Sequence, residues 1–300
     1  MLLLLLVVLV VNVEGWGKVG HEIVGNLAYE LLSEEVQVKV NQILQEDGMM
    51  TSMGKVASWA DVVRYTHEFH WTSPLHYVDI QQEPCTSPTN CQFDYHRDCH
   101  DDLCAVAAID ELVYFLSNST TSTRLTRSPQ EGLKFLIHFI GDIHQPLHVS
   151  RHSDRGGNDI HIEPPVPITT TTTMDRLFFE ETYNEHNLHA VWDDAMIDYA
   201  LSLYHHNKVQ HFQQQVASTF THDVCPSAMT NGCTTLWAQQ SLSLALTKAY
   251  VDENNQPISS GTTLTLDYYQ TRLPIVKQQL ALAAARLAAT LESIYSNKHK

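Results

Sequence analysis

Residues 128–148 read SPQEGLKFLIHFIGDIHQPLH, and this stretch sets the fold class. Ser128 offers a hydroxyl to the free amides of a helix start, Pro129 fits the first helical position, and Glu131 completes a capping box. The apolar run that follows predicts a helix to about His144. It should stop before Gln145-Pro146, because the residue preceding a proline avoids the helical region. Outward from this helix the same periodicity recurs at His21–Leu32, Glu34–Leu44 (with Ser33 as N-cap), Val56–Phe69 and Ala105–Leu116. It appears again at Glu180–Tyr204, Val209–Phe220, Leu236–Tyr250 and Pro274–Tyr295. Only Asp159–Ile162, behind the turn signal Arg155-Gly156-Gly157-Asn158, reads as a short strand. The expected class is all-α, mainly helical, with at most a short hairpin. No repeat or polar linker divides the chain, so residues 16–300 are expected to form a single compact domain.

The chain of 300 residues is 43% hydrophobic, which excludes disorder, and carries a formal charge of −16, which offers no basic face for nucleic acid. Its unusual count is 18 histidines, pointing to metal or acid–base chemistry. Met1 to Val11 is an apolar run too short to span a bilayer, and Val13-Glu14-Gly15 is an acceptable cleavage site. Residues 1–15 therefore read as a secretory signal peptide, leaving Trp16 as the mature N-terminus. Cys85, Cys91, Cys99, Cys104, Cys225 and Cys233 fit an exported, disulfide-bonded protein, with pairing undetermined beyond the proximity of Cys99 and Cys104. Asn118-Ser119-Thr120 is a glycosylation sequon. The threonine run Thr169–Thr173 reads as a solvated loop.

On the capped helix His138 and Asp142 are four residues apart and share a face, a spacing suited to one metal ion. His189 and Asp193 repeat the pattern, and His148 follows the helix stop. A lone histidine on an apolar helix is more often a core residue, but two His/Asp pairs with further histidines nearby favour metal. His21-Glu22 and His67-Glu68 lack the second histidine of a zinc protease motif, and no phosphate-binding loop, nucleophile elbow or dinucleotide fingerprint is present.

Several pieces recur in order along the mature chain: Trp16-Gly-x-x-Gly-His21, Trp59-Ala-Asp61 with Arg64, and Pro74-Leu-His76-Tyr77-Val-Asp79. The His138–His148 block follows, then Gly156-Gly-Asn158, Asn187-Leu-His189-Ala-Val-Trp-Asp193 and Trp237-Ala. In this order the chain resembles the secreted, zinc-dependent, single-strand-specific nucleases of fungi and plants, distantly akin to bacterial zinc phospholipase C. The resemblance implies a cleft holding three Zn²⁺. It assigns one zinc to Asp61, His76, His138 and Asp142, and a second to His148, His189 and Asp193. A third falls to His21, a bridging Asp142, and the amine and carbonyl of Trp16. Signal removal would then be part of the mechanism, since only a cut chain has that amine.

The resemblance further implies metal-assisted hydrolysis of single-stranded DNA and RNA to 5′-phosphate ends, with 3′-nucleotidase activity. In it Asp61 orients water and Arg64 neutralises phosphoryl charge, although Arg64 also reads as a surface helix charge. Tyr77, Asp79 and Asn158 would bind an unpaired base; a core tyrosine and a capping aspartate are the alternatives. His144 and His152 match no ligand position and are expected to support the site from behind, while Trp59 and Trp192 are expected to pack the core. The expected enzyme is a monomeric, secreted or secretory-vacuolar hydrolase without a membrane anchor, active in DNA catabolism. The competing readings are a phospholipase C-like phosphodiesterase and a catalytically silent zinc-binding protein.

Overall fold

Ser128 takes an extended backbone, its Oγ accepts the Glu131 amide at 3.1 Å, and a helix runs Pro129–Asp142 behind it. This start is where the sequence puts it. The helix is capped by Ile143 and ends slightly before the expected His144, with Gln145 extended ahead of Pro146. The computed structural model describes residues 16–45, 51–118, 123–126, 128–163, 186–204, 208–221, 225 and 232–296. Residues 1–15, the threonine run and His205-His206 lie outside them.

Every residue from Gly132 to Asp142 is buried, so this helix must be surrounded. Helices Lys18–Leu31, Glu34–Leu44, Met53–Val56, Trp59–Val63, Ala105–Asn118 and Leu266–Tyr295 all pack against it. Burying Phe135, Leu136, Ile137, Phe139 and Ile140 contributes roughly 1.5–3 kcal/mol each. Lys134 is buried too, because its ammonium lies 5.1 Å from the centre of the Trp59 ring. Trp59 also packs edge-on against Phe135 and Phe69. It serves the core, as expected.

Two of the helices that differ from the sequence reading do so for reasons found in tertiary contacts. Val56–Phe69 is broken into Met53–Val56, capped by Ser52, and Trp59–Val63, followed by a 3₁₀ helix His70–His76. The break leaves the Ala57 carbonyl available to a side chain. The last helix is Leu266–Tyr295 and includes Pro274, which the sequence places at its start. Thr265 caps it, the Tyr268 hydroxyl bonds Trp192 Nε1 and the Ala249 carbonyl, and Arg272 donates to the carbonyls of Lys248, Val251 and Asp252. These bonds offset the helix hydrogen bond that Pro274 cannot make.

Extended structure among the described residues is slight, and the all-α class holds. Val78–Ile80 pairs in parallel with Val149–Arg151, Asp79 opposite Ser150. His161–Glu163 runs antiparallel to His186–Asn187 and parallel to Thr262–Thr263. Disulfides join Cys85 to Cys91, Cys99 to Cys104 and Cys225 to Cys233. Each closes a short loop. No helix among the described residues is long and apolar enough to cross a membrane.

Candidate metal centre

Three His/Asp groups meet at the C-terminal end of the central helix. Asp142 stands between them: its Oδ2 lies 3.0 Å from His76 Nδ1 and 3.1 Å from His138 Nε2, while its Oδ1 lies 3.2 Å from His21 Nε2. Asp61 reaches the same place from helix Trp59–Val63, with Oδ1 at 3.4 Å from His138 Nε2 and 3.5 Å from His76 Nδ1. The two oxygens of Asp142 thus face different imidazoles. Beside them His189 Nε2 is 3.3 Å from Asp193 Oδ2, and His148 Nε2 is 3.9 Å from Asp193 Oδ1. All eight side chains are buried.

The histidines are oriented by backbone. His138 Nδ1 donates to the Ala57 carbonyl, His148 Nδ1 to the His76 carbonyl and His189 Nδ1 to the Gly156 carbonyl, each at 2.7 Å. A carbonyl only accepts, so these three rings carry their proton on Nδ1 and present Nε2 to the cleft. Gly156 adopts φ +66°, and a β-carbon there would stand 2.6 Å from the Leu147 carbonyl, so glycine is required. His21 lies flat on His138 with ring centres 3.9 Å apart, in space left by Gly141.

His189 and Asp193 keep their helical spacing in an unexpected form. The helix Leu188–Ala190, capped by the Asn187 side chain, passes directly into a π-helical turn Val191–Ala195. Such turns are frequent at functional sites. Trp16 is buried at the start of the N-terminal helix, and the neighbouring Gly17 amide donates to the Asp193 carbonyl at 3.1 Å.

The donor set fits a cation. Three carboxylates and five imidazoles share one buried cleft, and His21 Nε2, His189 Nε2, Asp61 Oδ1 and Asp142 Oδ1 are buried without a hydrogen-bond partner. Orphaned donor atoms of this chemistry are what zinc takes. Without a cation the charges distort titration. Burial alone would lower His138, yet Asp142 and Asp61 override it and push it up to about 10. Burial holds His76 down to about 4 and His189 to about 3, in each case by penalising the imidazolium. Asp142 is held well below the carboxylate range because His138, and also His21 and His76, outweigh the opposing effect of burial. Asp193 moves the other way, raised by burial and by neighbouring Asp194.

A family model described as S1/P1 Nuclease matches residues 16–296. The chain belongs to the S1/P1 nuclease family. It is 37% identical to Endonuclease 4 of Arabidopsis thaliana, over 95% of this chain and 91% of that protein. It is 30% identical to Nuclease S1 of Aspergillus oryzae, over 94% of this chain and 92% of the other. With Nuclease P1 of Penicillium citrinum it shares 28% identity over 94% and 99% of the two chains. The enzyme is accordingly a hydrolase of the nuclease class.

Beside the His/Asp groups of this nuclease opens a cleft of about 300 Å³ lined by Tyr77, Asp79, His148, Arg155, Asn158 and His189, with His152 at its edge. Tyr77 and Asp79 are half-buried, and Asp79 sits in a strand pair, so it is not a helix cap. Asn158 is buried in the cleft wall with its amide engaged: Nδ2 donates to the Arg155 carbonyl, and Oδ1 accepts from Asn187. Arg64 is buried, with Nη1 3.7 Å from Asp61 Oδ1, so it is not a surface charge.

Two residues near the site went unread in the sequence. Gln145 Nε2 donates to Asp193 Oδ1 while its Oε1 accepts the Leu147 amide, joining two of the segments that carry the His/Asp groups. Its place inside the histidine block was the available signal. Arg155 lines the cleft, and its place directly before the Gly156-Gly157-Asn158 motif was the available signal. His152 Nδ1 lies 3.1 Å from Asp79 Oδ2 at the edge of this cleft. His144, expected beside it, turns away, donating to the Ile140 carbonyl and accepting from buried Arg286, because the helix end rotates it toward the last helix.

Proposed function

We propose that this nuclease is a secreted, zinc-dependent, single-strand-specific endonuclease. It cuts DNA and RNA to 5′-phosphate products and also removes phosphate from 3′-nucleotides. The observation that carries the reading is Asp142, whose two oxygens face separate imidazoles in one buried cleft. We assign Asp61, His76, His138 and Asp142 to one zinc, and His148, His189 and Asp193 to a second. His21, Asp142 and the amine and carbonyl of Trp16 take a third. When bound, zinc supplies Lewis acidity toward phosphoryl oxygens and makes water acidic enough to attack near neutral pH.

The chain's own residues do the rest. Asp61 accepts a hydrogen bond from the attacking water and aligns it. Arg64 stands beside it to neutralise charge that grows on the phosphoryl oxygens. Tyr77 offers a ring face, and Asp79 and Asn158 polar atoms, to a base that must be unpaired to enter. That requirement is the source of single-strand preference. Removal of residues 1–15 frees the Trp16 amine, so export and activation are one event. Residues 16–300 act as one domain and as a monomer, and exposed Asn118 accepts a glycan.

The test is cleavage of single-stranded DNA by the Trp16-start protein, before and after chelation and after zinc is restored, with product ends identified. Zinc-dependent cuts bearing 5′-phosphates are expected. Bound zinc with no cleavage would overturn the reading.

A further inference from the structure

Arg155, Gly156 and Gly157 follow one another with φ of +53°, +66° and +82°, all in the left-handed region. Glycine enters that region freely, but an arginine stays there only under constraint from its surroundings. The loop matters to the site at both ends. The Gly156 carbonyl accepts from His189 Nδ1 at 2.7 Å, while Arg155 and Asn158 line the cleft with Tyr77 and Asp79. The constraint comes from Asp154. Its Oδ1 accepts the Gly157 amide and the Tyr250 hydroxyl, each at 2.8 Å, and its Oδ2 lies 2.5 Å from Arg151 Nη2. The Arg151 guanidinium carbon is 3.6 Å from the centre of the Tyr250 ring, so the tyrosine holds both members of this ion pair.

Tyr250 is buried and lies 96 residues beyond Asp154 in the chain. It ends a π-helical turn, Ala245–Ala249, which follows the helix Cys233–Leu244. Such turns are frequent at functional sites, yet this one carries no metal donor and lines no part of the cleft. Its Ala249 carbonyl accepts from Tyr268, which fixes the turn against the last helix. The structure assigns to Tyr250 the role of a positioning residue for the nuclease reaction. Through Asp154 it holds the left-handed loop, so that His189 and the cleft-facing groups of residues 155 and 158 keep one register. The assignment rests on the nuclease reading above and deepens it. A shift of Gly156 would turn the His189 ring, and a shift of Gly157 would carry Asn158 with it. One hydroxyl, bonded to a carboxylate and therefore strong, serves both halves of the site.

Tyr250→Phe keeps the ring on Arg151 and removes only the hydroxyl on Asp154. KM for a dinucleoside monophosphate should rise about tenfold, as for loss of one hydrogen bond to a charged group, with kcat at saturating zinc within about threefold of wild type. In a titration against a chelator, without substrate, one bound zinc should be released at about tenfold lower chelator concentration, the low end for disturbing the partner of a ligand histidine. Asp154→Ala should lose at least as much, and adding Tyr250→Phe to it should change neither quantity further, because the hydroxyl then has no carboxylate to hold. Asp154→Asn, which keeps an oxygen for the Gly157 amide and the Tyr250 hydroxyl, should stay closer to wild type. KM and zinc retention within about twofold of wild type in Tyr250→Phe, with only the melting temperature lowered, would overturn the assignment and leave Tyr250 as part of the core. Additive losses in the double variant, or an Asp154→Asn enzyme as impaired as Asp154→Ala, would overturn the route through the Asp154 oxygen. A wild-type enzyme that binds zinc and leaves the dinucleotide intact would instead overturn the nuclease reading itself.

Discussion

Gly141 lies between His138 and Asp142 on the central helix, and alanine at this position probes whether His21 belongs to the metal cleft. A β-carbon at 141 would stand 2.8 Å from His21 Nδ1 and 2.9 Å from its Cε1, about 0.6 Å inside ordinary contact. His21 has little room to retreat, being fully buried and stacked on His138. Helix propensity alone favours alanine over glycine by about 1 kcal/mol. Overpacking a buried contact costs about 1–3 kcal/mol, so the net change is a destabilisation of roughly 0–2 kcal/mol. Metal–ligand distances tolerate only about 0.2 Å, well under the displacement forced on His21. The metal effect therefore exceeds the stability effect. We expect bound zinc to fall from three ions to two, cleavage of single-stranded DNA to drop about a hundredfold, and the melting temperature of the chelated protein to move only a few degrees. Elemental analysis, initial rates and calorimetry on the purified variant measure all three. A Gly141→Ala enzyme with three zincs, full activity and about 1 kcal/mol of added stability would refute the reasoning.

Asp142→Asn should remove two zincs together, since its oxygens face both the His76–His138 pair and His21; unchanged metal content in that variant would refute the bridge. The chelated enzyme should be most stable near pH 6.5. Burial holds His21, His76, His144 and His189 below their ordinary value, so on acidification the unfolded chain takes up protons that the folded one refuses, and stability is lost from pH 6.5 down toward 4 and below. Asp193, Asp79 and Asp110, all raised by burial, oppose this, while Asp61 and Asp142, held low, reinforce it at the acid end, leaving a net loss. His138, raised to about 10 against the effect of burial by Asp142 and Asp61, contributes stability that is complete below pH 6.5 and lost as pH climbs toward 10. Each net proton is worth about 1.4 kcal/mol per pH unit. Denaturant melts of chelated protein across pH 5–9 check this; a flat profile, or higher stability at pH 8.5 than at 6.5, would contradict it.

Much of the site was legible because its chemistry is local. The Ser128–Glu131 cap fixed the helix start, and the four-residue spacing of His138 to Asp142 fixed their shared face. Cys99 and Cys104, close enough in sequence to close a small loop, do so, while the sequence left the pairing of the six cysteines open. Residues that depend on distant partners were harder to read. Pro274 marks a helix start only until the Tyr268 and Arg272 bonds to residues 192 and 248–252 are known. His144, expected to support the site from behind, is turned away from it, and only Arg286 on the last helix shows this.

By itself the sequence determined the helical class, the capped central helix and the residue types of the cleft, because hydrophobic period, capping and ligand spacing are properties of a few consecutive residues. Tertiary structure alone decided that Asp142 divides its oxygens between His76–His138 and His21, that the carbonyls of Ala57, His76 and Gly156 orient the imidazoles, and that Tyr65 reaches Arg64. Most of those contacts join residues far apart in the chain, and even between neighbours side-chain geometry is set by packing. Packing of the surrounding helices around one buried axis brings them together, and no local rule encodes a distance between them.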